Sequence, residues 1–323
     1  MASVPLIRYG GNSIVQQPYA IQQVRGCGFS VDGDHARMQA LCDRTLNLPG
    51  SPVRYRVLSK SVLLTFMHMG RLIPTLPPDD AKGFFIENEL NVTMLLAAGR
   101  EIGEVFIPNR LVWYMPYLWL DSSEAMIAGR DVYGFPKHYG EIAMPPAEGR
   151  PALFEAVGEV LHTFSAATPA TLEPILRARR TDATAFEHEP ALLAFDDAIR
   201  TLFWQAISIE DPVLFTWTVG RNLTKPDWLK LVFLRQLVSI SDGTRACYQS
   251  VAEAPFHLTR FGGAGFLRGA YEVEIFPHAS VPFAAELGIA SPGSSRILLN
   301  PRTSFFVDID FILDAGQEIW VTT

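Results

Sequence analysis

The chain has 323 residues, of which 48% are hydrophobic and 19% are charged, so it is too apolar to be mainly disordered and can form one large core or two modest ones. Its 27 Lys and Arg residues face 34 Asp and Glu residues, which gives a formal net charge of -7. No overall positive field is available to attract phosphates, so this balance argues against nucleic acid as a partner.

Secretion and membrane insertion are not expected. No charge-free apolar stretch reaches the ~18 residues that a membrane span needs, and the N-terminal residues lack the features of a signal peptide. The odd number of cysteines (Cys27, Cys42 and Cys247) does not fit a secreted disulfide framework. We therefore expect a cytoplasmic protein. The mean hydropathy of +0.14 indicates surplus apolar surface, which favours a homo-oligomer.

The first part of the chain has the pattern of short strands. In residues 53–57, apolar Val53, Tyr55 and Val57 alternate with two arginines, so one face of a strand would be buried and the other polar. Further apolar runs, separated by residues typical of turns, follow at 62–69, 90–97, 105–108 and 111–120. Frequent short strands favour a sandwich or a barrel.

The pattern changes to a helical one at about residues 165–230. Apolar residues between 192 and 206 recur mostly at three- and four-residue steps, and Pro190 suits a first helical turn. The cluster of Arg177, Arg179 and Arg180 is interpreted as the solvated end of a helix. We predict a single domain over residues 1–323 with a helical insertion at about 165–230.

Strand patterns return in the last hundred residues. Residues 271–275 alternate apolar side chains with two glutamates, and residues 305–311 alternate Phe305, Val307, Ile309 and Phe311 with more polar positions. Each series predicts a strand with one apolar face. The sequence thus predicts a β-rich α+β fold, built as an antiparallel, barrel-like sheet with a helical insertion.

Common cofactor motifs are missing. The glycine-rich segment 260–269 has Arg268 where a dinucleotide-binding pattern starting at Gly263 needs glycine, and it has no P-loop lysine. The seven histidines form no HExxH motif or other metal-ligand spacing, and no GxSxG motif is present. We therefore expect neither a metal nor an organic cofactor.

One lysine has a setting that suits nucleophilic chemistry. Lys137 directly follows Tyr133-Gly-Phe-Pro136, among aromatic and small residues. Burial disfavours the charged form of an amine, so an ammonium desolvated there would lose its proton more readily. A neutral lysine amine is the group that forms Schiff bases with carbonyl substrates.

Around this lysine the sequence resembles the acetoacetate decarboxylase superfamily. The family signature, a Gly-Arg-Glu/Asp stretch followed by a Gly/Ala-Phe/Tyr-Pro-Lys turn, is matched by Gly129-Arg-Asp131 and Gly134-Phe-Pro-Lys137. Weaker similarity occurs in three further segments, 85–92, 241–245 and 305–319. Acetoacetate decarboxylase is itself a known case of a lysine activated by desolvation or by a cationic neighbour, so the resemblance implies that part of the mechanism.

The resemblance implies roles for several residues. Lys137 would be the Schiff-base nucleophile and Glu87 the acidic residue that faces it, with Glu89 a competitor for that role on the same strand face. Arg25 lies near the family arginine proposed to meet the substrate carboxylate, and Phe135 of the lysine motif would contact the substrate.

The chain departs from the family at two positions that would also border the substrate. His138 follows the nucleophile where the decarboxylases have a second lysine, so burial rather than charge repulsion would have to activate Lys137. Thr65 stands where the decarboxylases have a glutamate. The loss of an acidic group bears on decarboxylation itself, and relatives with altered pockets resemble aldolase-dehydratases.

The leading prediction is a lyase that acts on a small oxo acid, most simply by decarboxylating an acetoacetate-type β-keto acid through a lysine iminium. The first alternative is aldol or dehydration chemistry on a 2-oxo acid without release of carbon dioxide. The second alternative is a barrel that binds an apolar ligand and has lost catalysis.

Overall fold

The structure, a computed structural model, describes residues 5–8, 14–145, 152–182, 192, 194–209, 211–222, 230–290 and 293–322. The strands are β1 (Tyr19–Asp32), β2 (Arg54–Val57), β3 (Ser61–Pro74), β4 (Phe85–Ile102), β5 (Val105–Leu120), β6 (Lys137–Ala143), β7 (Leu153–Val160), β8 (Thr171–Arg180), β9 (Lys230–Val238), β10 (Ala246–Phe266), β11 (Tyr271–Ile275), β12 (Ile297–Leu299), β13 (Thr303–Leu313) and β14 (Gln317–Val321). The α-helices are α1 (His35–Thr45), α2 (Ser123–Val132), α3 (Phe195–Ala206), α4 (Pro212–Asn222) and α5 (Phe283–Glu286). The predicted β-rich class is confirmed.

The strands form one large, mostly antiparallel sheet in the order β12-β11-β8-β7-β6-β5-β9-β10-β13-β1-β3-β4-β2, with β14 paired to β10. The sheet is not a closed barrel, because this path has separate ends at β12 and β2. A further pairing between β4 and β5 curls the central strands around an interior. The expected barrel-like shape is therefore limited to this central part.

Strand β5 and strand β6 are parallel, and helix α2 connects them. The Ser122 side chain accepts a hydrogen bond from Ala125 N–H and begins the helix, and Arg130 lies in its last turn, where a positive charge suits the helix dipole. The buried face of α2 consists of small residues, Ala125, Ala128 and Gly129. This face allows close packing at the point where β6 begins with Lys137.

The helical segment begins later than predicted. Residues 171–180 form strand β8, which pairs with β7 and β11, and helices α3 and α4 follow it. The helical interpretation of the arginine cluster is therefore wrong. Arg179 donates hydrogen bonds to Glu272 on β11 at 2.6 and 3.0 Å. An acidic group on the neighbouring strand thus stabilises the arginine face of β8, and this pairing is not visible in the local sequence pattern. Pro190 lies outside the described residues.

The apolar face predicted for β13 points into the molecule. Phe305 and Phe311 are buried there, while Asp308 and Asp310 on the other face bind Arg260 of β10. The alternation follows from the two-residue period of a strand. Among the described residues, no helix is long and apolar enough to cross a membrane.

Candidate active site

A cavity of about 260 Å³ lies between α2 and the inner faces of strands β1, β3, β4 and β13. Most of its wall is apolar, with a few polar groups on one side, which is the usual composition of a small-molecule site. Its apolar lining includes Leu63, Met67, Met69, Trp113, Met115, Phe135, Leu231, Phe256, Phe305, Val307, Ile309 and Phe311.

The side chain of Lys137 is buried in this cavity with about 5% of the residue exposed. Its Nζ lies 3.3 and 3.4 Å from the two carboxylate oxygens of Glu87 and 3.4 Å from the carbonyl oxygen of Ala125. Nζ also lies 5.4 Å from the centroid of the Phe135 ring. The amine is thus held between an acid on β4, the backbone of α2 and an aromatic ring.

The end of α2 fixes the backbone that leads to this lysine. The carbonyl oxygen of Gly129 accepts hydrogen bonds from the N–H groups of Tyr133, Gly134 and Phe135, and Gly134 has a φ of 87°. This left-handed conformation suits glycine because it has no Cβ. Arg130 Nη1 then donates a hydrogen bond of 2.9 Å to the carbonyl oxygen of Lys137.

Four polar side chains follow one another along the inner face of β4. Glu87, Glu89, Asn91 and Thr93 occupy alternate positions, all are buried, and all line the cavity. Thr93 Oγ1 donates to Asn91 Oδ1 at 3.0 Å, and Asn91 Nδ2 donates to Glu89 Oε1 at 3.1 Å. Their hydrogen bonds orient the amide of Asn91 and direct its N–H toward the carboxyl of Glu89.

Glu89 is an acid whose pKa is strongly shifted by its position in the cavity. Burial and the neighbouring charge of Glu87 raise its pKa to about 7, while Lys137 and the hydrogen bond from Asn91 act in the opposite direction. A carboxyl group with such a pKa exchanges a proton near neutral pH, which suits a general acid or base. Two acids and one amine therefore share this end of the cavity.

The structure brings four of the predicted site residues together. Lys137, Glu87, Phe135 and Thr65 all line the cavity. The predicted pairing of Lys137 with Glu87 has the geometry of a buried ion pair at 3.3 Å. Glu89, the predicted competitor, lines the same cavity without an equivalent contact to Nζ.

Two predicted residues do not reach the cavity. Gly26 of β1 lines the cavity. Because successive side chains of a strand point to opposite faces, the side chain of Arg25 points away from the cavity. His138 follows Lys137 on β6 and stacks on Trp119 at 6.0 Å between ring centroids, also away from the cavity. His138 is exposed, but desolvation by the atoms around its ring and the charge of Arg130 lower its pKa, which favours a neutral ring. The two-residue strand period explains both positions, because Arg25 and His138 are each next to a residue that lines the cavity.

Three further residues belong to the site but were not singled out for it from the sequence. Asn91 and Thr93 continue the polar series that begins at Glu87, and a run of polar residues at every second position of an otherwise apolar strand is a readable signal. Gly129 belongs to the family motif, but the sequence does not show that it lies against the lysine side chain. Within the part of the chain that the structure describes, no group of three or more His, Cys, Asp and Glu residues could hold a metal ion.

A family model matches the part of the chain that contains the lysine motif. Residues 90–152, which include Lys137 and α2, match the family model described as acetoacetate decarboxylase. No curated protein sequence is significantly similar to the chain. The match spans the lysine motif and the part of β4 that carries Asn91 and Thr93.

Solved structures share the fold over nearly the whole chain. An acetoacetate decarboxylase from Legionella pneumophila is 15% identical with a TM-score of 0.61, covering 99% of this chain and 93% of its own. An acetoacetate decarboxylase-like enzyme from Sphingomonas wittichii RW1 is 13% identical with a TM-score of 0.55, covering 98% of each chain. The enduracididine biosynthesis enzyme MppR, solved with pyruvate, is 12% identical with a TM-score of 0.55, covering 96% of this chain and 93% of its own. The predicted resemblance to this superfamily is confirmed.

Proposed function

We propose that this chain, which has the acetoacetate decarboxylase-like fold, is a lyase that forms a Schiff base between Lys137 and an oxo acid. The observation that carries the proposal is the position of Lys137 Nζ, buried in an apolar cavity 3.3 Å from Glu87. A buried amine beside a proton acceptor is suited to attack a carbonyl carbon. Glu87 accepts a proton from Nζ, and the free electron pair of the nitrogen then forms the new bond.

The reaction needs no other electron sink. The adduct of Lys137 with a β-keto acid loses water to give an iminium, and the bond to the carboxylate carbon then breaks. Its electron pair moves into the iminium to give an enamine, and carbon dioxide leaves. Glu89, with a pKa near 7, donates a proton to the enamine carbon, and water releases the ketone and the free amine.

Decarboxylation suits the charges of this cavity. The substrate carboxylate enters an apolar space that already contains Glu87 and Glu89, and among the described residues that line it Lys137 is the only cation. A further negative charge beside Glu87 is costly because an apolar environment disfavours ions. Departure of neutral carbon dioxide removes this charge, so the environment favours the step.

Aldol or dehydration chemistry on a 2-oxo acid is the second candidate. It uses the same iminium, and the proton exchange of Glu89 near pH 7 would serve to remove a proton from a hydroxyl group or to assist its departure as water.

Borohydride trapping tests the proposal. The protein is incubated with a β-keto acid or pyruvate and reduced, the adduct is mapped by mass spectrometry, and carbon dioxide is measured in parallel. We expect an adduct on Lys137 that is lost in Lys137→Ala and retained in the matched control Lys60→Ala, a surface lysine. Carbon dioxide release indicates decarboxylation, and an adduct without it indicates the second candidate. A lack of adducts with every oxo acid would refute the proposal and favour a non-catalytic binding protein.

We also propose that the chain forms a homo-oligomer, which was expected from its hydropathy. Support comes from exposed apolar side chains on neighbouring elements, including Ile102, Val105 and Ile107 at the β4–β5 turn and Trp217 on α4. Light scattering coupled to size-exclusion chromatography measures the mass directly, and a monomer at micromolar concentration would contradict this proposal.

A further inference from the structure

The cavity is larger than acetoacetate requires. A cavity of about 150 Å³ holds benzene, so about 260 Å³ has room for a ligand nearly twice as large. Acetoacetate has about as many heavy atoms as benzene. A large part of the cavity would therefore stay empty or hold poorly bonded water around so small a substrate.

The cavity is elongated along β4. Strand register sets successive pairs across β4 and β3, in which Glu87 lies opposite Met69, Asn91 opposite Thr65 and Thr93 opposite Leu63. Glu87 contacts the nucleophile, while Thr93 and Leu63 line the opposite end. Thr93 lies six positions after Glu87 along β4, which corresponds to a distance of about 20 Å.

The wall formed by β13 and β1 suits an apolar chain. Phe305, Val307 and Ile309 present alternate apolar side chains to the cavity from the end near Leu63 toward the lysine. Gly26 on β1 pairs with Val307, and because it has no side chain it leaves the cavity open beside Val307. The wall is thus smooth and apolar along the length of the cavity.

The polar groups beyond Glu89 do not require polar partners in a ligand. Asn91 donates to Glu89 and accepts from Thr93, so their main hydrogen-bonding groups already bind one another. An apolar chain can lie beside them without leaving these bonds unmade.

The negative charge of the cavity gives an apolar tail of the substrate a role in catalysis. Bringing a carboxylate next to Glu87 and Glu89 is unfavourable, and binding energy from a remote part of the substrate can offset this cost. Burial of an apolar tail provides that energy, because each methylene removed from water favours binding.

We propose that the substrate is a β-keto acid with an extended, unbranched apolar tail, which lies between β4 and β13 and reaches Leu63 and Phe305. This inference rests on the proposed function, since it places the oxo group at Lys137. It assigns the far end of the cavity to the tail and the end near Glu87 to the reacting carbons.

A chain-length series tests the inference. We expect kcat/KM for carbon dioxide release, after subtraction of the spontaneous rate, to rise about three- to fourfold per methylene, or on the order of 100-fold from 3-oxohexanoate to 3-oxodecanoate. Highest efficiency with acetoacetate and a fall with length would overturn the tail assignment and leave the proposed function intact. No turnover and no borohydride adduct at any length would refute both.

A pair of variants locates the tail. Thr65→Phe places a ring across the middle of the cavity, whereas Thr65→Val keeps the size of the side chain and serves as the matched control. We expect Thr65→Phe to reduce the preference for 3-oxodecanoate over acetoacetate by at least tenfold, and Thr65→Val to retain it. Both variants are checked for the Lys137 adduct with acetoacetate, which reports on a folded site. Retention of the full preference in Thr65→Phe, with the adduct present, would overturn the proposed path of the tail.

Discussion

The aliphatic part of Lys137 passes directly over Gly129. A Cβ added to Gly129 would lie 2.8 Å from Cδ and 2.9 Å from Cε of the lysine, closer than real side chains approach one another. The glycine of the Gly129-Arg-Asp131 motif therefore provides the space in which the lysine side chain extends toward Glu87.

Gly129→Ala should displace the amine without unfolding the protein. Alanine is a better helix former than glycine by roughly 1 kcal/mol, so α2 itself is not weakened. We expect the borohydride adduct to decrease by at least tenfold while the melting temperature changes little. Gly243→Ala is the matched control, because a Cβ there meets no atom within 4 Å. Normal adduct formation in Gly129→Ala would contradict this account of the motif.

Removing one partner of the Lys137–Glu87 pair should lower the free energy of unfolding more than removing both charges. Lys137→Met leaves the Glu87 carboxylate buried without its cation, and breaking a buried pair in this way costs about 3–5 kcal/mol. In the double variant Glu87→Gln/Lys137→Met no charge is stranded, so we expect at least half of the lost stability to return. Urea unfolding at pH 8 compares the wild type, Lys137→Met, Glu87→Gln and the double variant, and additive losses would show that the two groups are not coupled.

The titration of Glu89 predicts a stability that depends on pH. Its pKa is about 7 in the folded protein against 4.5 for the free group, so between these pH values the folded state keeps a proton that the unfolded state has lost. The free energy of unfolding should therefore fall as pH rises from about 4.5 to about 7, by about 1.4 kcal/mol per unit of pKa difference. Above that range this contribution is constant.

Glu89→Gln should flatten this part of the pH dependence, because the amide does not titrate. Urea unfolding at pH 5 and pH 8 gives the difference for the wild type and the variant, and Glu104→Gln, an exposed acid, provides the control. An unchanged difference in Glu89→Gln would contradict the assignment of this titration to Glu89.

Thr93 should influence Glu89 through Asn91. Thr93→Val removes the hydroxyl that orients the Asn91 amide, and the hydrogen bond from Asn91 is one of the interactions that lower the pKa of Glu89. We expect the pKa of Glu89 to rise by about 0.7 units if one hydrogen bond of about 1 kcal/mol is lost. The midpoint of the pH dependence of stability measures this shift. A midpoint that stays in place would show that Asn91 keeps its orientation without Thr93.

The sequence predicted the parts of the site that lie in local patterns. The alternation of residues 305–311 predicted β13, and the short motif predicted a lysine, Lys137, that lies in the cavity. The positions of Arg25 and His138 could not be predicted, because they depend on which face of the strand each side chain occupies. A shift of one residue in the alignment reverses that face. The arginines of β8 were misassigned because their acidic partner strand lies about ninety residues away in the sequence.

The β5–α2–β6 crossover has a consequence for how this architecture can diversify. Lys137, the helix beside it and the turn that precedes it lie in one contiguous stretch, whereas the wall opposite β4 comes from β13, far along the chain. The two parts still touch, because Tyr133 of that turn donates hydrogen bonds to the carbonyl oxygens of Leu313 and Asp314 at the end of β13. These acceptors are backbone atoms, so side-chain substitutions at Phe305 and Val307 can reshape the wall while the support of the turn is kept. Changes at these two positions are therefore the direct route to a cavity that accepts other compounds.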